Sequence, residues 1–513
     1  MARVTLVYPD YTVMRLFSSP GRTRVERGGW YAEGLAALSA ALKLQHHEVS
    51  LLHVTQPPSR QDFVARLEAT HPDVIGFSVR TSAVPAVTEW TRWAREAAGA
   101  PIVWGGYHAS LAPEQCMNIP GVDALIQGDA DLVLPQVVDA WAGGDNPQGI
   151  PGVWWRDGTE VRHAPVGPLT PDLDALAIPD FGLFDRNQLI ATRTHVALGM
   201  LSRGCPYACT YCTNHAFRAL YPDPRDYHRT RSPEGAIAYI RALREWYPDV
   251  CELRFLDNVF GISVEWLREF GALYQREVGL PFACDERAEL LTDETVRLLA
   301  DMGCTQVYLG IESGDEELRR QALGRTMSNE LLVRDIARLH AAGIGVFAYN
   351  MVGLPGETRA TALLTPKLNA DARVDDACIS VFSPYPSTVL YDVSIRDGSV
   401  VEPIDYSSLT FLDQPGFGSG EVAFMALCFN PLRRWYRRHG TDSRAARRMD
   451  RTVLSPHMPV RAVVYCSERW EGGREAAKSF LRSHAPGAFL FLKRLLHRGP
   501  VPQRVDVGTR PKE

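Results

Sequence analysis

The sequence predicts an α/β protein built from two successive parallel sheets, followed by a smaller, mostly helical region. Three observations carry this. Short apolar strands alternate with amphipathic helices over residues 1–145, and again over residues 195–385. That alternation is lost over residues 400–513. A chain of 513 residues also exceeds what one hydrophobic core supports, so several domains are expected.

In the first region the strand segments are 3–8, 48–54, 73–79, 101–106 and 122–128, and "YAEGLAALSAALKLQ" (31–45) has helical apolar spacing. Strands that are apolar throughout, with helices between them, fit a parallel sheet covered on both faces. Five of them fit a doubly wound, flavodoxin-like domain, whose ligands bind beyond the carboxyl ends of the strands. The expected domain boundary is 1–145. Residues 146–190 are rich in Pro, Gly and Asp and read as a wrapping linker. In the next region the strand segments are 196–202, 251–257, 281–286, 305–311, 346–352 and 377–383. A full eight-stranded barrel takes about 250 residues, so six units over 191–395 fit either a second open sheet or a partial (β/α)6 barrel. Residues 396–513 are expected to cap a substrate cavity. Within them 430–451 is locally basic, which reads as a solvated helical face, and 502–513 reads as a frayed tail.

A hydrophobic share of 45%, a charged share of 22% and a net charge of −5 are those of an ordinary soluble protein. They give no overall pull toward nucleic acid or an anionic membrane. The N-terminus lacks the pattern of a signal peptide, and no apolar run approaches the ~18 residues of a membrane span. A cytoplasmic protein is expected. Its ten cysteines then point to metal or catalytic thiols before a disulfide framework.

Three of them, Cys205, Cys209 and Cys212, sit in "RGCPYACTYC" directly after a strand. Structural zinc takes four protein ligands, and His215 is the one nearby candidate for a fourth. Three cysteines on a four-iron cluster leave one iron open for a substrate or cofactor.

The C-x3-C-x2-C spacing, with Tyr211 before the last cysteine, resembles the radical S-adenosylmethionine (SAM) superfamily. The resemblance implies a 4Fe–4S cluster that binds SAM at its open iron and cleaves it to a 5′-deoxyadenosyl radical. It implies SAM contacts at the strand ends: Asp257 and Asn258 in "FLDNVF", Arg287 in "CDERAELL", Glu312 and Ser313 in "LGIESG", and Gly353, Pro355 and Gly356 in "NMVGLPGET". An acid for the ammonium, an arginine for the carboxylate and a Glu or Ser for the ribose are complementary groups. Asn258 stands where a second Asp is common, and Ser387 where Gly is usual.

The first region offers no G-x-G-x-x-G after its first strand, which excludes the nicotinamide pattern. Its segments "GFSVRTS", "VWGGYHAS" and "VDALIQGDAD" resemble the cobalamin-binding domain found upstream of many radical SAM barrels. The resemblance implies cobalamin contacts at Ser78, Thr81, Ser82, Gly105, Gly106, Tyr107, His108, Gly128 and Asp129, with Asp131 as a second acid. Adjacent glycines let backbone approach a flat ligand. The Asp-x-His-x-x-Gly motif that supplies a histidine to cobalt is absent after the first strand.

Together these resemblances imply a cobalamin-dependent methyltransferase. One SAM methylates reduced cobalamin, a second yields the radical, and the substrate radical takes the methyl group at an unactivated carbon or at phosphorus. A non-methylating radical reaction (dehydration, ring contraction or cyclisation) is the alternative. A non-catalytic cobalamin or iron–sulfur sensor is the reading from another class. The expected partners are a small-molecule substrate and an external one-electron donor such as flavodoxin or ferredoxin, with no nucleic acid and no membrane.

Overall fold

The computed structural model describes residues 1–16, 19–400, 404–406, 412 and 414–467. Residues 1–458 form one compact unit and 459–513 a second. The strands of the first sheet region are β1 (Arg3–Pro9), β2 (Tyr11–Leu16), β3 (Ser19–Arg27), β4 (Glu48–Val54), β5 (Val74–Ser78), β6 (Ile102–Gly105), β7 (Ala124–Ile126), β8 (Val153–Asp157) and β9 (Glu160–His163). They pair in the order β4-β1-β5-β6-β7-β8-β9, with β2 and β3 as a separate hairpin. The pairs from β4 through β7 are parallel. Those five strands, taken alone, have the order 2-1-3-4-5 of the flavodoxin-like arrangement. β1 is central, and Val4, Leu6 and Val7 are buried on its two faces. This burial on both sides explains why its sequence is apolar throughout rather than alternating.

Two features differ from the sequence expectation. The supposed linker over 146–190 contains β8 and β9, which join the sheet antiparallel. Trp154 and Trp155 on β8 are buried on opposite faces, which anchors the strand in two hydrophobic clusters. The hairpin β2–β3 also leaves the carboxyl end of β1. Asp10 fixes its return: one buried carboxylate oxygen accepts the backbone N–H groups of Gly29 (2.6 Å) and Trp30 (2.7 Å) and lies 2.7 Å from His53 Nε2.

The second sheet contains β10 (Val196–Gly199), β13 (Glu252–Phe255), β14 (Phe282–Glu286), β15 (Cys304–Glu312), β16 (Gly345–Val352) and β17 (Asp376–Val381). They pair in that order, parallel throughout. β10 and β17 are the two ends of the order, so this is a partial barrel, an open arc. A short ladder, β11 (Ser202–Arg203) with β12 (Arg229–Thr230), stands beside its first strand. The helices that cover the arc start where the sequence supplies caps. Ser232, Ser263, Thr292 and Ser328 each accept the backbone N–H three residues on, from Gly235, Trp266, Thr295 and Leu331. Between sheet and helices lies an aromatic core of Phe255, Phe260, Phe270, Tyr274 and Phe282.

After β17 come helices Val389–Arg396, Ser419–His439 and Arg444–Val453. The last two lie against the barrel: Asp450 accepts from Lys367 and from Tyr436, each at 2.6 Å. Residues 401–403, 407–411, 413 and 468–513 of the expected capping region, with the supposed tail at 502–513, lie outside the described residues. No described helix is long and apolar enough to cross a membrane. Phe270 is fully buried and touches Phe260, Trp266 and Tyr274. Phe270→Ala is expected to cost about 3–5 kcal/mol, read as a lower urea midpoint.

Candidate functional site

The carboxyl ends of the barrel strands build one polar site around the cysteine loop. β10 leads through Leu201 into the β11–β12 ladder, and only Gly204 separates Arg203 from Cys205. Gly204 holds φ +78°, and a Cβ there would stand 2.1 Å from the Tyr227 carbonyl oxygen, so the turn requires glycine. The loop ends where helix Thr213–Arg218 begins. Cys205 and Cys209 are buried and Cys212 is partly exposed. Burial pushes the Cys205 and Cys212 thiols up, and neighbouring cysteines push the same way. Among the described residues no three His, Cys, Asp or Glu side chains are grouped as ligands of a single ion. Three cysteines on a four-iron cluster each hold a different iron, so they need not converge as zinc ligands do. The loop fits such a cluster.

Arg287, just past β14, reaches the loop. Its Nη1 donates to Cys209 Sγ at 3.3 Å, and its guanidinium lies 3.8 Å from the Tyr207 ring centroid. Glu289 accepts its other nitrogen at 2.7 Å, while its buried Nε has no protein partner. A guanidinium held beside the cysteines with a free donor is suited to a carboxylate ligand.

Tyr211 and Glu312 are brought together, with a third residue that the sequence did not single out. The Tyr211 hydroxyl donates to Glu312 Oε1 at 3.0 Å, and Arg325 Nη1 lies 3.0 Å from the same oxygen and 3.2 Å from the Tyr211 hydroxyl. Glu312 is buried and left-handed at φ +68°, where the register of β15 on β16 slips between Gly310 and Glu312. Such strain in a non-glycine residue is characteristic of functional sites. Burial raises the Glu312 carboxyl and Arg325 pulls it back. Arg325 lies in "LGRTMS" and belongs to no recognised pattern, so only its position in space reveals it.

Asp257 does not present a free carboxylate. Its Oδ1 accepts the backbone N–H groups of Leu201 (3.0 Å) and Ser202 (2.5 Å) and the Ser202 hydroxyl. Only Oδ2 is unpartnered, and burial pushes the acid up to about 7. Its geometric role is to hold the entry to the cysteine loop. Asn258 is exposed. The buried Ser313 hydroxyl accepts from the Asp315 backbone at 3.2 Å, a local turn contact. In the turn after β16, Gly353 (φ +81°) and Leu354 donate to Glu357 Oε2 at 2.6 and 3.1 Å, and Gly356 (φ +78°) donates to Gln414 at 2.7 Å. Pro355 lies between them. Glu357 stood inside the quoted motif, and its carboxylate is what shapes the turn.

In the sheet domain, Ser78, Thr81, Ser82 and the Gly105–Gly106 pair gather at the carboxyl ends of β5 and β6. A Cβ on Gly105 would meet no protein atom within 4 Å, so the protein's own packing does not require glycine there. Gly106 does require it: φ is +94° and a Cβ would stand 3.0 Å from the Val79 nitrogen. The open space above Gly105 is the cradle a bulky flat ligand needs. His108 is buried with Nδ1 unpartnered, and burial lowers it to about 4. Tyr107 is 51% exposed. Its ring meets Phe217 edge-on at 5.2 Å. It therefore stands where the sheet domain touches the helix that follows the cysteine loop. Gly128, Asp129 and Asp131 depart from expectation. Asp129 is bound by Arg229 at 2.8 Å and Asp131 by Arg203, while Gly128 packs against the Tyr221 hydroxyl. The Asp129 and Asp131 carboxylates face the barrel, while the Gly128 N–H donates to Ser110 in the sheet domain.

Comparison with known proteins matches residues 200–365 to the radical SAM superfamily and residues 25–138 to the B12 binding domain. An uncharacterized methyltransferase of Pyrococcus horikoshii is 25% identical over 367 residues, covering 71% of this chain and 78% of that one. The anaerobic magnesium-protoporphyrin IX monomethyl ester cyclase of Cereibacter sphaeroides is 24% identical over 438 residues, covering 80% and 66%. The solved structure of the cobalamin-dependent S-adenosylmethionine radical enzyme OxsB with aqua-cobalamin bound superposes with a TM-score of 0.63 at 14% identity, covering 94% and 76%. That likeness establishes the fold.

Two outcomes follow from the geometry. Arg325→Met leaves Glu312 buried without its cation and is expected to cost about 3–5 kcal/mol by chemical denaturation. Burial pushes Glu357 up to about 8 from an ordinary 4.5. The native state then binds more protons than the unfolded chain between those values, so stability falls as pH rises through that window. Glu357→Gln keeps an acceptor for Gly353 and Leu354, and is expected to flatten that fall in urea titrations across the same pH range.

Proposed function

The chain belongs to the cobalamin-dependent radical SAM enzymes, and from that premise we propose that it methylates an unactivated carbon, or phosphorus, of a small biosynthetic intermediate. Its cofactors are a 4Fe–4S cluster, SAM and cobalamin. One observation carries the reading. Tyr107, next to the open Gly105–Gly106 cradle, meets Phe217 edge-on at 5.2 Å, on the helix that starts directly after Cys212, which supports a cofactor in the cradle facing one on the cysteine loop. When bound, the cluster supplies the electron that cleaves SAM, and cobalamin supplies a centre that carries a methyl group.

The chain's own residues divide the work as follows. Cys205, Cys209 and Cys212 hold the cluster and leave one iron without a protein ligand. Arg287 offers its free Nε–H to the SAM carboxylate. Tyr211, Glu312 and Arg325 form a preorganised polar wall for the ribose, and the Gly353–Gly356 turn brings backbone toward the adenine. Asp257 fixes the loop, and its unpartnered Oδ2 is the atom left to meet the ammonium. Ser78, Thr81, Ser82 and the two glycines receive the cobalamin, and Tyr107 and Phe217 exclude water between the two halves. A non-methylating radical reaction is favoured by one observation, the relative whose name describes a ring-forming cyclase.

Anaerobic protein loaded with iron, hydroxocobalamin and SAM, then reduced, is expected to release 5′-deoxyadenosine and S-adenosylhomocysteine together. Release of 5′-deoxyadenosine alone supports the cyclase-type reading. Cys205→Ala/Cys209→Ala/Cys212→Ala is expected to bind no cluster iron and to release no 5′-deoxyadenosine; release of 5′-deoxyadenosine by that variant defeats the assignment.

A further inference from the structure

The sheet domain meets the barrel beside both ends of the open arc. Beside β10, Arg203 and Arg229 face each other across the β11–β12 ladder. Arg203 binds both oxygens of Asp131, at 2.7 and 2.9 Å, and Arg229 binds Asp129. The Asp129 backbone N–H donates to the Tyr221 hydroxyl at 2.9 Å. Gly128 makes room for that hydroxyl, since a Cβ would stand 2.7 Å from it. The Arg229 and Asp131 side chains are 4% and 13% exposed and their partners Asp129 and Arg203 35% and 20%, so one charge of each pair is largely withdrawn from water. Beyond β17, the Ser387 hydroxyl donates to the Leu111 carbonyl at 2.7 Å. Leu111 ends the helix Tyr107–Leu111, which starts right after Gly106. Ser387 holds φ +62°, a conformation that glycine adopts more readily. A serine kept there gains a contact that glycine lacks.

We propose that these two contacts form a clasp that fixes the sheet domain across the barrel mouth, with Arg203, Asp131 and Ser387 as positioning residues. Their purpose, alignment of the cobalamin cradle with the cysteine loop, rests on the proposed function; the clasp itself does not. Arg203 is separated from Cys205 only by Gly204, held in a tight turn against the Tyr227 carbonyl, so displacement of the sheet domain pulls on the first cysteine. Ser387 acts at the other end, on the helix that carries Tyr107 and His108.

The test is amide hydrogen exchange on the full-length, cluster-loaded protein with no SAM added. Asp131→Asn and Arg203→Gln are each expected to raise exchange about tenfold at residues 128–131 and 201–212, the effect of losing one charge-assisted contact. The double variant is expected to exchange no faster than the faster single, because both remove the same contact. Ser387→Gly keeps the backbone conformation and is expected to speed exchange at residues 107–112. Amides of β15 serve as the folding control and stay unchanged. Exchange within about twofold of the unaltered protein in the single variants, or multiplicative effects in the double, overturns the clasp. So does a silent Ser387→Gly. Failure to form S-adenosylhomocysteine defeats the proposed function and leaves this result standing.

Discussion

The pairing of Arg203 and Arg229 with Asp129 and Asp131 is the interaction on which the arrangement depends. Charges withdrawn from water are tolerated only when paired, and the arginine fork adds direction to the pairing. The two arginines sit opposite each other on a ladder of two residues per strand. Glu33 extends the contact, accepting from Tyr31 (3.0 Å) and from the barrel residue Tyr239 (2.8 Å). Burial raises Glu33, and Arg203 and Arg231 are among the groups that pull it back. The ladder that presents Cys205 is thus also the one that holds the sheet domain.

Around the cysteine loop the interior is unusually polar. Asp257, Glu286 and Glu357 are all buried, and each keeps at least one carboxylate oxygen without a protein partner. Burial raises all three. Unsatisfied buried acids are costly, and their concentration at the strand ends is what a ligand-binding site requires. Elsewhere the same strands bury Val307, Leu309, Val346 and Ala348 against the helices. One face of each strand therefore serves the core, and the residues at its carboxyl end serve the site.

The six barrel strands and strands β1 and β4–β7 were legible because each is a short apolar run set between helical patterns. Four of the barrel helices start at Ser232, Ser263, Thr292 and Ser328, residues whose side chains cap them. The hairpin at 153–163 was hidden by the Pro- and Gly-rich stretches on either side, although "VWWRDGTEVRH" carries an Asp-Gly turn between strand-like segments. The acids at 129 and 131 looked like ligand contacts because the sequence displays an acid without its partner. Those partners, Arg229 and Arg203, lie 100 and 72 residues away. Glu357 and Arg325 were missed for a related reason: one shapes a turn through its side chain and the other pairs with a distant glutamate.

By itself, the sequence determined the order of the parallel strands and the cysteine spacing, because periodicity and short-range spacing are local properties. It also determined which residue types stand at each strand end. The tertiary structure alone decided which of those groups are free to meet a ligand and which are consumed by the protein. Asp257 is half engaged by backbone, Asp129 and Asp131 are held by arginines, and the space above Gly105 stays open. Hydrogen bonds and ion pairs of this kind join residues far apart in the chain, and the low dielectric around them sets their strength, so neither is written in any local stretch.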